Sequence, residues 1–127
     1  MKPQILIVDD EPFMLRLIEA SLAKGNFEVT PCQSGEQALA CVAQSAPHLI
    51  ILDLMMPGLD GLGTLRRIKE TGAGRDVPVI MLTAKGHHLA QVEAAQSGVN
   101  VFLTKPFSPS QLLAETKRLL AVGIPIS

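Results

Sequence analysis

Tryptophan and tyrosine are absent, and phenylalanine, with 4 copies, is the only aromatic residue. Stacking platforms for single-stranded bases or sugar rings are therefore poorly supplied. An excess of one charge is also missing. Eleven Lys and Arg stand against 12 Asp and Glu, a formal net charge of −1. This balance argues against a nucleic-acid-binding surface, an acidic tail and a polybasic membrane anchor. Only two cysteines occur, Cys32 and Cys41, with no CxxC and no His at zinc spacing. They make neither a disulfide framework nor a metal site, and they read as reduced, partly buried thiols. Long apolar runs are lacking too. Just four apolar residues, Ile5 to Val8, precede Asp9, too few for a signal-peptide core. No run approaches the length that spans a bilayer. The expectation is a cytoplasmic protein with no membrane or nucleic-acid partner of its own.

What is present suits one core. The chain has 127 residues, of which 47% are hydrophobic, and a mean hydropathy of +0.30. That is ample for a single domain and too little for two. Short apolar runs recur at nearly even intervals: Ile5–Val8, Phe27–Val29, Leu49–Leu52, Val77–Leu82 and Val101–Leu103. They are β-branched or bulky, and three are unbroken enough to be covered on both faces. Between them lie segments of helical period. Met14, Ile18 and Leu22 recur every four residues, and Leu62, Leu65 and Ile68 every three. Leu112, Leu113, Thr116, Leu119 and Leu120 line one side of a last helix. Ala38 to Ala43 and Leu89 to Ala95 are Ala-rich.

The punctuation agrees. Pro12 suits a first helical turn, and Gly25-Asn26 a helix end. Ser34, and Ser108 or Ser110, suit helix starts. Gly72-Ala73-Gly74 and Gly98 close the third and fourth helices. Strands alternating with helices imply a parallel sheet covered on both faces. The ligand site of such a fold lies at the carboxyl ends of the strands.

At those ends stand Asp9-Asp10-Glu11, Asp53, Thr83 and Lys105-Pro106. Read singly, each has an ordinary explanation. The acidic triplet could cap a helix, Asp53 could open a turn before Pro57-Gly58, Thr83 could end a strand, and Lys105-Pro106 could be a loop. Read together they make a site. Three carboxylates in one hollow repel one another unless a cation or protons neutralise them. Mg²⁺ takes such oxygen ligands, keeps waters and completes its shell with phosphate. An Asp carboxylate can be phosphorylated, and a Lys ammonium and a Thr hydroxyl can hold phosphoryl oxygens.

Val8-Asp9-Asp10-Glu11, Asp53-Leu54-Met55-Met56-Pro57-Gly58-Leu59-Asp60-Gly61, Leu82-Thr83-Ala84-Lys85 and Thr104-Lys105-Pro106-Phe107 resemble, in this order and spacing, the receiver domain of two-component response regulators. The resemblance runs from about Gln4 to Leu120. It implies a three-layer, flavodoxin-like (βα)5 fold with strand order 2-1-3-4-5. It implies one receiver domain over 1–127, with a core of about 4–121, a tail at 122–127 and no output domain. It implies that Asp53 accepts a phosphoryl group from a sensor histidine kinase or a histidine phosphotransfer protein. It implies that Mg²⁺ is held by Asp10, Asp53 and the backbone carbonyl of Met55, with Asp9 acting through water. Lys105 would contact the phosphoryl group. Thr83 would be the switch hydroxyl and Phe102 its paired aromatic. Phosphorylation would then rearrange the face made by the fourth helix, fifth strand and fifth helix, and so control an effector protein or output domain. The protein would be a signalling switch that catalyses its own phosphorylation and dephosphorylation, not a turnover enzyme.

The departures are specific. Phe102 lacks the hydroxyl of the Tyr that the family often carries. Met55 and Lys85 stand where the family flanks the incoming water, and Met55 has no amide to orient it, which points to slow hydrolysis. Asn100, Val101, Ser110 and Gln111 lack the charges by which many DNA-binding members pair. A phosphohydrolase would need a second Asp at Met55 and a cap domain. A flavodoxin would need a phosphate loop where Asp9-Asp10-Glu11 stands, and aromatics to hold flavin. His87 and His88 point in different directions on a helix and form no ligand pair, and His48 reads as a loop residue.

Overall fold

Leu49 to Leu52 has no polar side chain on either face, so it needs cover on both. In the computed structural model it forms, with Asp53, the central strand. Residues 2–56, 60–84 and 88–123 are described, those at 88–91 and 122–123 by backbone alone. The strands are β1 (Gln4–Val8), β2 (Glu28–Cys32), β3 (Leu49–Asp53), β4 (Val79–Ala84) and β5 (Val101–Lys105). All pair in parallel, in the order β2-β1-β3-β4-β5. Ile51 stands between Ile7 and Ile80. The helices are α1 (Pro12–Leu22), α2 (Gly35–Gln44), α3 (Gly61–Glu70), α4 (His88–Gln96) and α5 (Pro109–Gly123).

Alternation along the strands divides the core. Ile5, Ile7, Leu49, Ile51, Ile80 and Leu82 pack with Leu15, Ile18 and Leu22 of α1 and Leu112, Leu119 and Leu120 of α5. Leu6, Val8, Ile50, Leu52, Val79 and Met81 pack with Ala38 and Val42 of α2, Leu65 and Ile68 of α3, and Ala94 of α4. The result is the three-layer, flavodoxin-like (βα)5 arrangement. Each large side chain so buried contributes about 1.5–3 kcal/mol.

The element ends differ from the sequence reading for identifiable reasons. β2 runs on to Cys32, past Pro31. It is an edge strand, where a missing N–H facing away from the ladder costs nothing. β4 starts at Val79 because Pro78 has no N–H to give, although its carbonyl accepts from the Ile50 N–H at 3.0 Å. β4 and β5 reach Ala84 and Lys105 because their ladder continues there whatever the side chains are. In α1 the buried residues are Leu15, Ile18 and Leu22, and Met14 lies at the margin. Packing against the sheet set that phase.

The terminators act as read. A short 3₁₀ turn, Ala23–Gly25, follows α1, and Asn26 is left-handed at φ 58°. The Ser34 hydroxyl caps α2 by accepting from the Gln37 N–H at 3.1 Å. Ser108 does the same for Gln111 at 3.3 Å. Gly98, at φ 104°, turns the chain out of α4. Cys32 is buried, Cys41 is half-buried, and neither is in a disulfide. Burial, with Cys41 close by, pushes the Cys32 thiol up to about 12.

Candidate functional site

Parallel strands deliver their last residues to one edge of the sheet. Asp9 follows β1 there, its N–H given to the Cys32 carbonyl at 3.0 Å. Its side chain is fully buried. Asp9 Oδ1 accepts from the Glu11 N–H at 3.0 Å, which turns the chain into α1 at Pro12. Asp53 ends β3 and is 3% exposed. Leu54 and Gly61 close the floor: the Leu54 N–H reaches the Leu82 carbonyl at 2.9 Å, and the Gly61 N–H reaches the Leu54 carbonyl at 3.1 Å. A Cβ on Gly61 would run into the Asp53 carbonyl oxygen, so only glycine lets α3 start this close. The Asp60 carboxylate caps α3, accepting from the Gly63 N–H at 2.7 Å.

Asp9, Asp10 and Asp53 each bring a carboxylate oxygen within 4.8 Å of the others, and Asp10 is the most open. Lys105, at the end of β5, points its ammonium at two of them. Nζ lies 3.2 Å from Asp9 Oδ2 and 3.2 Å from Asp53 Oδ1. The Met55 N–H donates to Asp53 Oδ1 at 3.3 Å, while the Met55 side chain is half exposed. The Lys105–Pro106 peptide is cis.

Negative charge is in surplus. Burial, and then Asp9, raise the Asp53 carboxyl above its usual range, against the pull of Lys105 and the Met55 N–H. For Lys105, burial favours the neutral amine, but Asp53 and Asp9 outweigh it and hold the ammonium above its ordinary value. At the dielectric of a protein surface, charges 4 Å apart interact by about 4 kcal/mol. A divalent cation would relieve that repulsion, and the all-oxygen donor set suits a hard ion such as Mg²⁺.

Thr83 is buried in β4, opposite Thr104 and one register step before Lys105. Phe102 stands opposite Met81, half-buried against the α2–α3 side of the core. Met81 and Thr83 are two apart on one strand, so Thr83 and Phe102 share that side of the sheet. The structure thus gathers Asp9, Asp10, Asp53 and Lys105 into one hollow, with the Met55 backbone on its rim. It places Thr83 beside the hollow and Phe102 further down the same face. Pro57, Gly58, Leu59, Lys85, His87 and 124–127 of the tail lie outside the described residues, as does the His88 side chain.

Sequence reading missed the Asp60 cap, although an Asp just before a Gly-opened helix was a usable signal. It placed His48 in a loop, as found, but did not foresee its long-range pairing. The His48 N–H and Nδ1 pair with the carbonyl and N–H of Gln4 at 2.8 and 2.9 Å, across 44 residues, and no local pattern announces that.

A five-stranded parallel sheet with buried Asp and a half-buried Lys at its carboxyl edge defines a receiver-type α/β protein. Residues 5–117 match the response regulator receiver domain, and the chain belongs to that family. It is 39% identical over 117 residues to the transcriptional regulatory protein ResD of Bacillus subtilis, covering 92% of this chain and 48% of that protein. It is 38% identical over 119 residues to the response regulator PleD of Caulobacter vibrioides, covering 94% of this chain and 26% of that protein. The chain thus spans about half the length of the first relative and a quarter of the second. Among solved structures, the receiver domain of NtrX from Brucella abortus superposes with a TM-score of 0.85 at 33% identity, covering 92% of this chain and 98% of that one. The Vibrio cholerae chemotaxis protein CheY4 gives 0.87 at 26% identity, covering 94% and 99%. The chain is a receiver domain of two-component response regulators, a class of phosphorylation-activated signalling switches. No helix among the described residues is long and apolar enough to cross a membrane.

Proposed function

We propose that Asp53 is the phosphoryl acceptor of this receiver. One observation carries the assignment: of the two buried carboxylates 3.2 Å from the Lys105 ammonium, Asp9 has both oxygens engaged, Oδ1 by the Glu11 N–H and Oδ2 by Lys105, whereas in Asp53 Lys105 and the Met55 N–H share Oδ1. An Asp53 oxygen attacks phosphorus, the bond from phosphorus to the donor nitrogen or oxygen breaks, and the donor leaves with that electron pair. Lys105 holds the transferred group by charge, and the Met55 N–H orients the attacking carboxylate. Asp10, Asp53 and the Met55 carbonyl, with Asp9 through water, would hold Mg²⁺, which would supply charge to neutralise phosphoryl oxygens. Water later attacks the same phosphorus, the bond to Asp53 breaks, and phosphate leaves. The chain catalyses both steps on itself.

The output follows from packing. The Thr83 hydroxyl turns toward the phosphoryl oxygens, and Phe102, on the same side of the sheet, takes up the space released. The face of α4, β5 and α5 then changes its fit to a partner. The donor is a sensor histidine kinase or a histidine phosphotransfer protein. The recipient is an effector protein or an output domain, and the longer relatives support this reading. The receiver occupies one domain with its core at about 4–121, and it works in the cytoplasm.

Intact-mass measurement after incubation with acetyl phosphate and Mg²⁺ tests the acceptor. The protein gains one phosphoryl group, and Asp53→Asn and EDTA-treated protein gain none. A full gain on Asp53→Asn overturns the assignment. Asp10→Asn weakens Mg²⁺ binding, and unchanged affinity removes Asp10 from the metal site.

A further inference from the structure

Two sulfurs meet between the sheet and α2 and have no part in the chemistry above. Cys32 ends β2 on the inside of the sheet, and Cys41 lies on α2 above it. Their Sγ atoms are 3.5 Å apart. We propose that Cys32 and Cys41 are a peroxide-reactive pair that closes reversibly into an intramolecular disulfide, a modification site between β2 and α2.

Proximity and access both favour closure. The sulfurs of a disulfide lie about 2.05 Å apart, so closure brings these two nearer by about 1.5 Å, through side-chain rotation and movement of α2. Cys41 is half-buried and lines an open cavity of about 210 Å³, shared with Gln4, Glu28, Thr30 and Gln44. The cavity's mixed polar and apolar walls, open to solvent, admit a small oxidant such as hydrogen peroxide. Cys32 is closed to solvent at 2% exposure. Cys41 is therefore the sulfur attacked first, and Cys32, whose thiol burial pushes up to about 12, resolves it slowly at neutral pH and faster in alkali.

The steps balance. The Cys41 sulfur bonds to one peroxide oxygen, the O–O bond breaks, and the departing hydroxide takes the Cys41 proton to give water and a sulfenic acid. The Cys32 sulfur then attacks the Cys41 sulfur. The S–S bond forms and the S–O bond breaks, and the Cys32 proton leaves with the hydroxide as a second water. Two thiols are oxidised and one peroxide is reduced to two waters. A dithiol reverses the change by thiol–disulfide exchange.

The pair is tied to the hollow by one backbone link. The Cys32 carbonyl accepts the Asp9 N–H at 3.0 Å, and Asp9 in turn holds Lys105. Closure pulls on Cys32 and so on the carboxylate beside Asp53. That coupling rests on the reading of the hollow as a cation site; the disulfide itself does not.

The test uses the full chain, first reduced and then treated with hydrogen peroxide. Mass spectrometry without reductant shows a monomer that has lost two hydrogens, a Cys32–Cys41 linked peptide and no alkylatable thiol. Dithiothreitol restores both thiols. Cys32→Ser stops at a Cys41 sulfenic acid that dimedone traps. Cys41 carrying two or three oxygens beside an alkylatable Cys32, or a cross-linked dimer, overturns the proposal. Mg²⁺ titration then reads the coupling, with a two-fold or larger change in Kd on closure and none in peroxide-treated Cys41→Ser. Equal affinity in the two forms overturns the coupling and leaves the disulfide standing. Absence of Mg²⁺ binding in either form overturns the cation reading and the coupling with it, while the mass result still decides the disulfide.

Discussion

Where the strands begin, loops are pinned by reciprocal hydrogen bonds. The Asn100 N–H reaches the Val79 carbonyl at 3.0 Å, and Asn100 Oδ1 accepts the Val79 N–H at 2.8 Å. His48 and Gln4 exchange bonds in the same way. Lys69 ties the end of α3 to the loop before β4 through the carbonyls of Val77 and Arg75, at 2.6 and 3.2 Å. Where the strands end, the charged groups drawn inside are Asp9, Asp53 and the half-buried Lys105, and their charges do not cancel. One edge is made of matched groups and lowers the energy of the fold. The other holds electrostatic repulsion that a cation or a phosphoryl group can change. The separation teaches that a sheet can anchor its strands at one end and leave the other free for chemistry.

Four substitutions break or sharpen that contrast. Lys105→Met has the largest effect, because it strands two buried carboxylates. It costs about 3 kcal/mol in metal-free buffer, read as a lower urea midpoint, and Mg²⁺ restores part of it. Asn100→Ala cuts one arm of a clamp and leaves the Val79 N–H unpaired. It costs about 1.5 kcal/mol, equally with and without Mg²⁺. A change in Mg²⁺ affinity there would show that the two edges are not separable.

Asp53→Asn acts in the opposite direction. The folded protein holds the Asp53 proton more tightly than an unfolded chain does, because burial and Asp9 raise that carboxyl. The contribution of Asp53 to stability is therefore full below the ordinary Asp value and is lost as pH rises through the raised one. Metal-free Asp53→Asn is more stable than the parent by about 1 kcal/mol at neutral pH, the scale of a screened like-charge repulsion. The gain fades in acid, which thermal melts across pH follow. His48→Ala has the smallest effect, within about 0.5 kcal/mol, since the exposed Gln4 N–H can turn to water.

The apolar strand–helix alternation and the polar residue at the end of each run were legible in the sequence. Ile5–Val8 and Leu49–Leu52 could hardly be anything but buried strands, and Asp9 and Asp53 follow them directly. Terminators such as Asn26 and Ser34 act through bonds within a few residues, and these too were legible. Less was readable where a distant neighbour sets the outcome. Pro31 looks like a breaker until β2 is known to be an edge, and the four-residue spacing points to Met14 until the sheet selects Leu15 instead.

The sequence by itself determined which segments bury which faces and which chemical groups follow each strand, because side-chain period and turn chemistry are local. Only the tertiary structure decided that residues 9, 10 and 53 share a space of 4.8 Å, that Lys105 reaches two of those carboxylates, and that Cys32 lies against Cys41. Those distances depend on strand order, register and helix placement. They are set by packing between residues far apart in the chain, and a linear pattern carries no measure of that packing.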